Sequence, residues 1–312
     1  MSCILLDVLG SPACSCIPYL NLPVLSTYNL ITLGDFNCVG DIQGVTIICD
    51  SILNDNANVF GGQLNSFPVS QYALQVVNVP NTAASTVKVQ QGSVGVGCAT
   101  SAVSYSNGIQ YLVNTRIFEV SQYNNGARLT KTCDVDDTCQ SLQITLPLLS
   151  TTLANLVQLA ANSIYISPVK SNTLIIEVNA VDCNNVAVFT TTCADTIAKA
   201  NLAAIEIQIA PALSNVFLII TISDQEVVWP SSVNLVGQWV DSTVGRQKTL
   251  WHFPNADTIT YDSTVKGYTF APKATLVLNA NTEGSVAVNK LDANAQVHLP
   301  NLVAPDCGQI KY

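Results

Sequence analysis

Charge is what this 312-residue chain has least of. Only 11% of its residues are Asp, Glu, Lys or Arg, where soluble proteins average about a quarter. Twelve Lys and Arg against 21 Asp and Glu leave a net charge of −9 and no basic cluster. Phosphate contacts supply most nucleic-acid affinity, so nucleic acid is excluded as a partner, and anionic membranes are disfavoured for the same reason. Long apolar runs are missing too. The most apolar stretch, Asn215 to Ser223, is about half of the ~20 residues a membrane span needs, so no transmembrane helix is expected. Histidine is scarce, and His252 and His298 show no paired metal or catalytic spacing. No phosphate-cradling, dinucleotide-binding or nucleophile-elbow glycine motif occurs. Neither an enzyme nor a bound cofactor or metal is expected. Asn-x-Ser/Thr is absent although Asn, Ser and Thr abound, which disfavours a eukaryotic secretory route. The leader MSCILLDVLGSPACSCIP has no Lys or Arg before its apolar stretch, and Asp7, Gly10 and Pro12 interrupt that stretch. It does not read as a standard signal peptide.

What is abundant is hydrophobicity, at 48% of residues, and cysteine, at eleven. So few charges on so large a chain suggest a surface covered in use, by copies of the chain itself. The cysteine spacings match no common zinc or iron–sulfur motif, so disulfides and an oxidising final location are expected. Sequence proximity pairs Cys38 with Cys49, Cys133 with Cys139 and Cys183 with Cys193, leaving Cys98 unassigned. Cys3, Cys14, Cys16 and Cys307 lie outside the recognisable domain, where they could bond other subunits.

From Tyr28 to about Phe118 short β-prone runs alternate with Gly, Asn, Asp and Pro, as in YNLITLGDF and GVTIICDSIL. That fits a sandwich, a barrel or the stacked coils of a solenoid. Leu142, Leu146, Leu149, Leu153, Leu156 and Ala160 then recur at spacings of four and three, the stripe of an amphipathic helix over about residues 137–161. Pro147 must kink that helix or sit in its first turn. Its expected role is to cover an apolar face of the β scaffold. Asp134-Val-Asp136-Asp137 lacks the glycine and distal glutamate of a calcium loop and reads as the helix N-terminus, where the dipole favours carboxylates. Beyond it β runs resume, and Ile205, Ile207 and Ile209 alternate with Glu206 and Gln208 as in a strand with one wet face. No linker divides the chain. We expect an N-terminal arm over residues 1–27, one β domain over 28–302 and a tail over 303–312.

The most specific stretch runs from Leu250 to Leu291, followed by AQVHLPNL. Leu250, Trp251, Phe253, Ala256, Gly267, Ala271, Pro272, Ala274, Gly284 and His298, with Gly34, Asp35, Phe36 and Asn37 upstream, resemble the bacterial surface domain called choice-of-anchor A. That resemblance implies a mainly β, solenoid-like domain with one long helix packed alongside, similar also to ice-binding domains, used at the cell surface and carrying no catalytic residues. Independently, glycines at regular offsets suit tight corners of stacked coils, and Trp251, Phe253 and the Ala-Pro step suit a packed cap. The sequence departs from the family pattern at His252, where asparagine is usual, and at Gln296, near a usual acidic position. Family members of this kind carry a signal peptide and a wall or membrane anchor, and neither is expected from this sequence.

Three functions follow. The first is a self-assembling subunit of a disulfide-linked extracellular fibre, appendage or coat, as on a bacterial endospore. There an arm would dock Ile4, Leu5, Leu6 and Val8 on a neighbouring copy and lock the joint through Cys3, Cys14 or Cys16. The second is a cell-surface adhesin or ligand-binding module. The third, ice binding, wants a flat face of repeated Thr, and no T-x-T register repeats.

Overall fold

The computed structural model describes residues 19, 22–53, 58–62, 68, 70–80, 86–100, 103–107, 110–120, 127–213 and 215–305. The expected arm residues Ile4, Leu5, Leu6 and Val8, together with Cys3, Cys14, Cys16 and Cys307, lie outside them.

The domain is a β-solenoid with three sheet faces and one long helix alongside. On the first face ten strands stack in parallel, from Leu129–Lys131 at one end to Val186–Thr191 at the other. The second face holds Glu226–Trp229, Thr258–Tyr261, the later halves of Tyr268–Leu278 and Val286–Ala293, and Phe36–Cys38. The third comprises the four-stranded sheet Ser163–Ile166, Thr173–Val178, Ala204–Ile209 and Asn234–Val236, and a nine-stranded sheet of mostly short strands. Among the described residues antiparallel strands occur only at outer positions: Ser163–Ile166 covers the free edge of Thr173–Val178, and Val103–Asn107 and Gln110–Val113 close the nine-stranded sheet.

The coils are not stacked in chain order. Leu30–Thr32 lies between Thr46–Ser51 and Val286–Ala293, so the first coil of the domain packs against its last. The first half of the chain therefore builds outward from the middle to Leu129–Lys131. The helix Asp134–Ala154 runs back along the first face, and the second half fills in from the far end. Its 21 residues span about 31 Å at 1.5 Å per residue. The ten strands span roughly 43 Å at ~4.8 Å spacing, and residues 155–162 supply the rest of the return. The order of strands, helix and strands is the consequence.

Two cores result. Strands of the first face are apolar on both sides: in Phe217–Ile222 every residue is buried, with Leu218, Ile220 and Ile222 facing the solenoid interior and Phe217 and Ile219 facing the helix. The helix contributes Cys139, Leu142, Leu146, Leu149 and Leu153 to that second core. Its bounds differ from those expected. It starts at Asp134 with three acids in its first turn, and Pro147 lies inside it. It stops at Ala154 because the Asn155 side chain donates to the Thr151 carbonyl, 2.8 Å away, taking over a helix-end acceptor. Leu156 is therefore only partly buried and Ala160 is exposed. The domain also reaches further upstream than residue 28: Leu22 and Leu25, placed in the arm on sequence grounds, are fully buried in the helix-side core.

The expected cysteine pairs do not form. Cys49 bonds Cys139, and Cys98 bonds Cys133, with Cα–Cα distances of 5.2 and 4.9 Å. Cys38 faces the solenoid interior whereas Cys49 faces the helix, so a sheet separates them. Cys133 and Cys139 lie six residues apart, about 600° of helical rotation, and point in different directions. Between Cys183 and Cys193 the strand Val186–Thr191 extends for about 20 Å at ~3.3 Å per residue. Cys183 is disulfide-bonded, but not to any described cysteine. Cys38 and Cys193 are buried thiols. Burial, opposed by the Gly40 N–H that Cys38 accepts at 3.2 Å, pushes the Cys38 thiol up to about 12. Both disulfides of known pairing fasten the start of the helix to the first face.

Candidate functional site

The motif residues meet at the seam between first and last coils. Gly34 N–H donates to the Asn289 carbonyl, Lys290 Nζ lies 3.2 Å from Asp35 Oδ2, and the Asn37 amide donates to Asp292 at 3.0 Å. Phe36 is fully buried against Phe60. Leu250 faces the helix-side core, while Trp251 stands edge-on to Trp229 in the main core and donates its indole N–H to the Lys266 carbonyl. Phe253 is fully buried. Ala271 and Pro272 sit where the strand Tyr268–Leu278 turns from the first face to the second. Gly267 and Gly284 form a corner on successive coils. Gly284 has φ +153°, and a Cβ there would lie 2.1 Å from the Gly267 carbonyl oxygen, so only glycine fits. His298 shares a 2.7 Å hydrogen bond with Gln296 Oε1. These residues build mid-stack structure rather than the packed cap expected of them, and they form no open site.

His252 occupies a different setting. It is fully buried beneath the helix, with Nε2 2.8 Å from Ser150 Oγ, Nδ1 3.2 Å from Thr221 Oγ1 and the ring stacked on Phe270. Burial lowers its pKa to about 3, so the ring is neutral. A hydroxyl beside an imidazole is the geometry of an activated nucleophile, but a nucleophile must meet its substrate. Sealed in the helix-side core, Ser150 and His252 fasten the helix to the sheet.

The open feature lies on the outer face of the four-stranded sheet. Leu174, Ile176, Ile205 and Ile207 point into the main core, so by strand alternation Ile175, Glu177, Glu206 and Gln208 point outward. Register places Tyr165 opposite Ile175, Ile175 opposite Glu206, and Glu177 opposite Gln208. Gln208 Nε2 donates to Glu206 Oε1 at 3.0 Å. After Asn234–Val236 the chain turns at Gly237 into the short helix Gln238–Asp241, which lies against Ala204–Ile209. Gly237 has φ +102°, and a Cβ there would stand 2.9 Å from Glu206 Cγ.

Trp239, on this turn, is half-buried. Its indole N–H donates to Thr249 Oγ1 at 2.9 Å, and Thr249 Oγ1 donates to the Gly245 carbonyl at 2.8 Å. Ser242 Oγ donates to the Trp239 carbonyl at 2.7 Å and accepts the Gly245 N–H at 2.9 Å. A Cβ on Gly245 would lie 1.9 Å from the Trp239 carbonyl oxygen, so this close approach also needs glycine. The result is a groove of about 370 Å³ whose side chains include Glu206, Gln208, Gln238 and the fixed Trp239. Sequence reading found the wet face of Glu206 and Gln208 but not Trp239. No sequence signal sets Trp239 apart: Trp229 and Trp251 are sealed in the core and Trp239 is not, a difference that only the fold reveals. Among the described residues no cluster of three or more His, Cys, Asp or Glu could hold a metal, and no helix is long and apolar enough to cross a membrane.

A family model described as "Putative Ice-binding-like adhesive domain" matches residues 21–299. The chain belongs to that family. The match begins just before Leu22 and ends one residue after His298, so this adhesive domain takes in both sides of the seam and the long helix. Two solved structures of an ice-binding protein, LeIBP, from an Arctic yeast, one of them a crystal structure of the glycosylated protein, align over 93% and 94% of this chain and 98% and 99% of theirs. Both align at 9% identity with a TM-score of 0.33. Comparison with curated proteins returns no match.

Proposed function

We propose that this chain is a non-catalytic adhesive module of an extracellular surface, a rigid solenoid that holds a ligand against its outer face. The observation that carries the reading is the adhesive-domain match over residues 21–299. Two disulfides and a continuous core support it, since a module under shear benefits from a scaffold that does not yield. Within this class the Leu250–Leu291 motif favours the choice-of-anchor A type of surface domain. Ice is not the ligand we infer. In register, an outward row on the second face reads Glu226, Thr258, Thr275 and Lys290, a mixed and charged series rather than a threonine lattice. The test is retention of protein-coated beads on microbial and host-cell surfaces under flow, against albumin-coated beads. Retention above the control is expected, and equal detachment would refute the reading.

A second reading, covalent self-assembly into a fibre or coat such as that of a spore, rests on the low charge and the odd number of cysteines, eleven, in the chain. The polymer would be joined through the arm and tail cysteines Cys3, Cys14, Cys16 and Cys307. Non-reducing electrophoresis decides it: ladders that collapse with reductant, and vanish when residues 2–16 are deleted, support assembly, whereas a non-reduced monomer refutes it.

A further inference from the structure

We propose that the Trp239 groove binds an uncharged polysaccharide, with the indole as a stacking platform and Glu206, Gln208 and Gln238 as hydroxyl-binding groups. The proposal rests on the adhesive reading above and names the ligand class for it. A sugar ring presents a C–H face and a rim of hydroxyls, and these groups match both. An aromatic face covers the C–H surface, a carboxylate accepts two O–H donors, and a primary amide donates and accepts at once. Ligand sites pair an apolar surface with a few placed polar groups, and this groove has that composition.

Charge narrows the class. Glu206 is the only ionisable residue of the lining, and the chain carries a net charge of −9. An anionic glycan or phosphate would meet no cation and would be repelled. Asn234–Val236 pairs only Ala204, Ile205 and Glu206, so the strand edge left beside the groove is the three residues Ile207, Gln208 and Ile209, too short to hold a peptide by strand addition alone.

The site is built in advance of its ligand. Trp239 is held through Thr249, Gly245 and Ser242, and Glu206 is held by Gln208, so little side-chain entropy is lost on binding.

The experiment is affinity electrophoresis of the full chain through gels containing laminarin, hydroxyethylcellulose, galactomannan, yeast mannan, xylan or dextran, together with acrylamide quenching. Trp229 and Trp251 are 0% and 1% exposed, so the quenchable fluorescence belongs to Trp239. At least one polysaccharide should retard the protein and protect Trp239. Trp239→Ala should weaken retardation at least tenfold, Trp239→Phe should restore part of it, and Glu206→Gln should weaken it several-fold. Should Trp239→Ala fail to fold, Gln238→Ala at an exposed position carries the test with Glu206→Gln. Retardation by none of the six, or retardation that these variants leave unchanged, overturns the proposal. So does protection of Trp239 by polylysine alone, which would make the ligand a basic peptide. Beads carrying Trp239→Ala separate the two levels. If they adhere like the parent, the polysaccharide site falls and the adhesive reading stands; if parent beads never adhere, both fall.

Discussion

Acidification should loosen the long helix through His252, and the size of the effect follows from its burial. In the folded domain the imidazole pKa drops to about 3 from 6.5, and desolvation is the cause. The ring faces Ser150, Thr221 and Phe270, none of them charged, so nothing nearby offsets the cost of protonation. Between these pKa values the unfolded chain binds one more proton than the folded one. Stability therefore rises with pH, and the contribution present above pH 6.5 is lost as pH falls toward 3. At ~1.4 kcal/mol per unit the whole window is worth on the order of 5 kcal/mol, and about 2.5 kcal/mol of it falls between pH 6 and pH 4. Carboxylates titrate over the same range, so the informative quantity is a difference. Urea-unfolding free energies of the parent and of His252→Gln should converge by about 2.5 kcal/mol from pH 6 to pH 4. A gap that stays constant over that range would refute the assignment of a buried neutral imidazole.

Two further perturbations test the scaffold. Replacing Cys49 and Cys139 by serine removes a bridge between residues 90 apart, and the chain-entropy estimate puts the loss at about 4–5 kcal/mol; urea denaturation measures it, and a loss below about 1 kcal/mol would mean that packing and the Cys98–Cys133 bridge hold the helix without it. Gly284→Ala should lower the thermal midpoint sharply, because strain at positive φ costs roughly 1–3 kcal/mol before the clash with Gly267 is added. Gly62→Ala, whose Cβ would meet its nearest atom at 3.6 Å, should be near neutral by the same measurement.

The strands were legible in the sequence because their cause is local: Val, Ile and Thr between turn residues favour an extended backbone wherever it later pairs. So was the buried stripe of the helix, where Leu142, Leu146, Leu149 and Leu153 all reach the helix-side core. Pairing was not legible. Leu30 meets Val286 across 256 residues, and no short-range pattern announces that the first coil closes on the last. The cysteines failed for the same reason. Proximity in sequence favours Cys38 with Cys49, but Cys38, on the second face, points into the solenoid interior, while Cys49, on the first, points out toward the helix. Cys49 finds Cys139 only because the helix returns over that face.

The groove illustrates a subtler kind of illegibility. At the corner from the third face to the first, later coils use minimal links: Gly267 alone joins Val265–Lys266 to Tyr268–Leu278, and Gly284 with Ser285 joins Thr282–Glu283 to Val286–Ala293. One coil earlier, residues 237–248 fill the same corner between Asn234–Val236 and Thr249–His252. A solenoid needs no such excursion to close its coil, and this one costs two glycines in demanding positions, Gly237 and Gly245. What the excursion adds is Trp239, held by hydrogen bonds to Thr249 and Ser242, beside the outward Glu206 and Gln208. In the sequence it looks like one more loop, because its meaning depends on comparing it with the same corner of other coils, which runs from Gly267 alone to the seven residues 179–185 and 210–216. Once the coils are aligned, the place where the repeat is broken and then rigidly rebuilt is the place to look for a ligand.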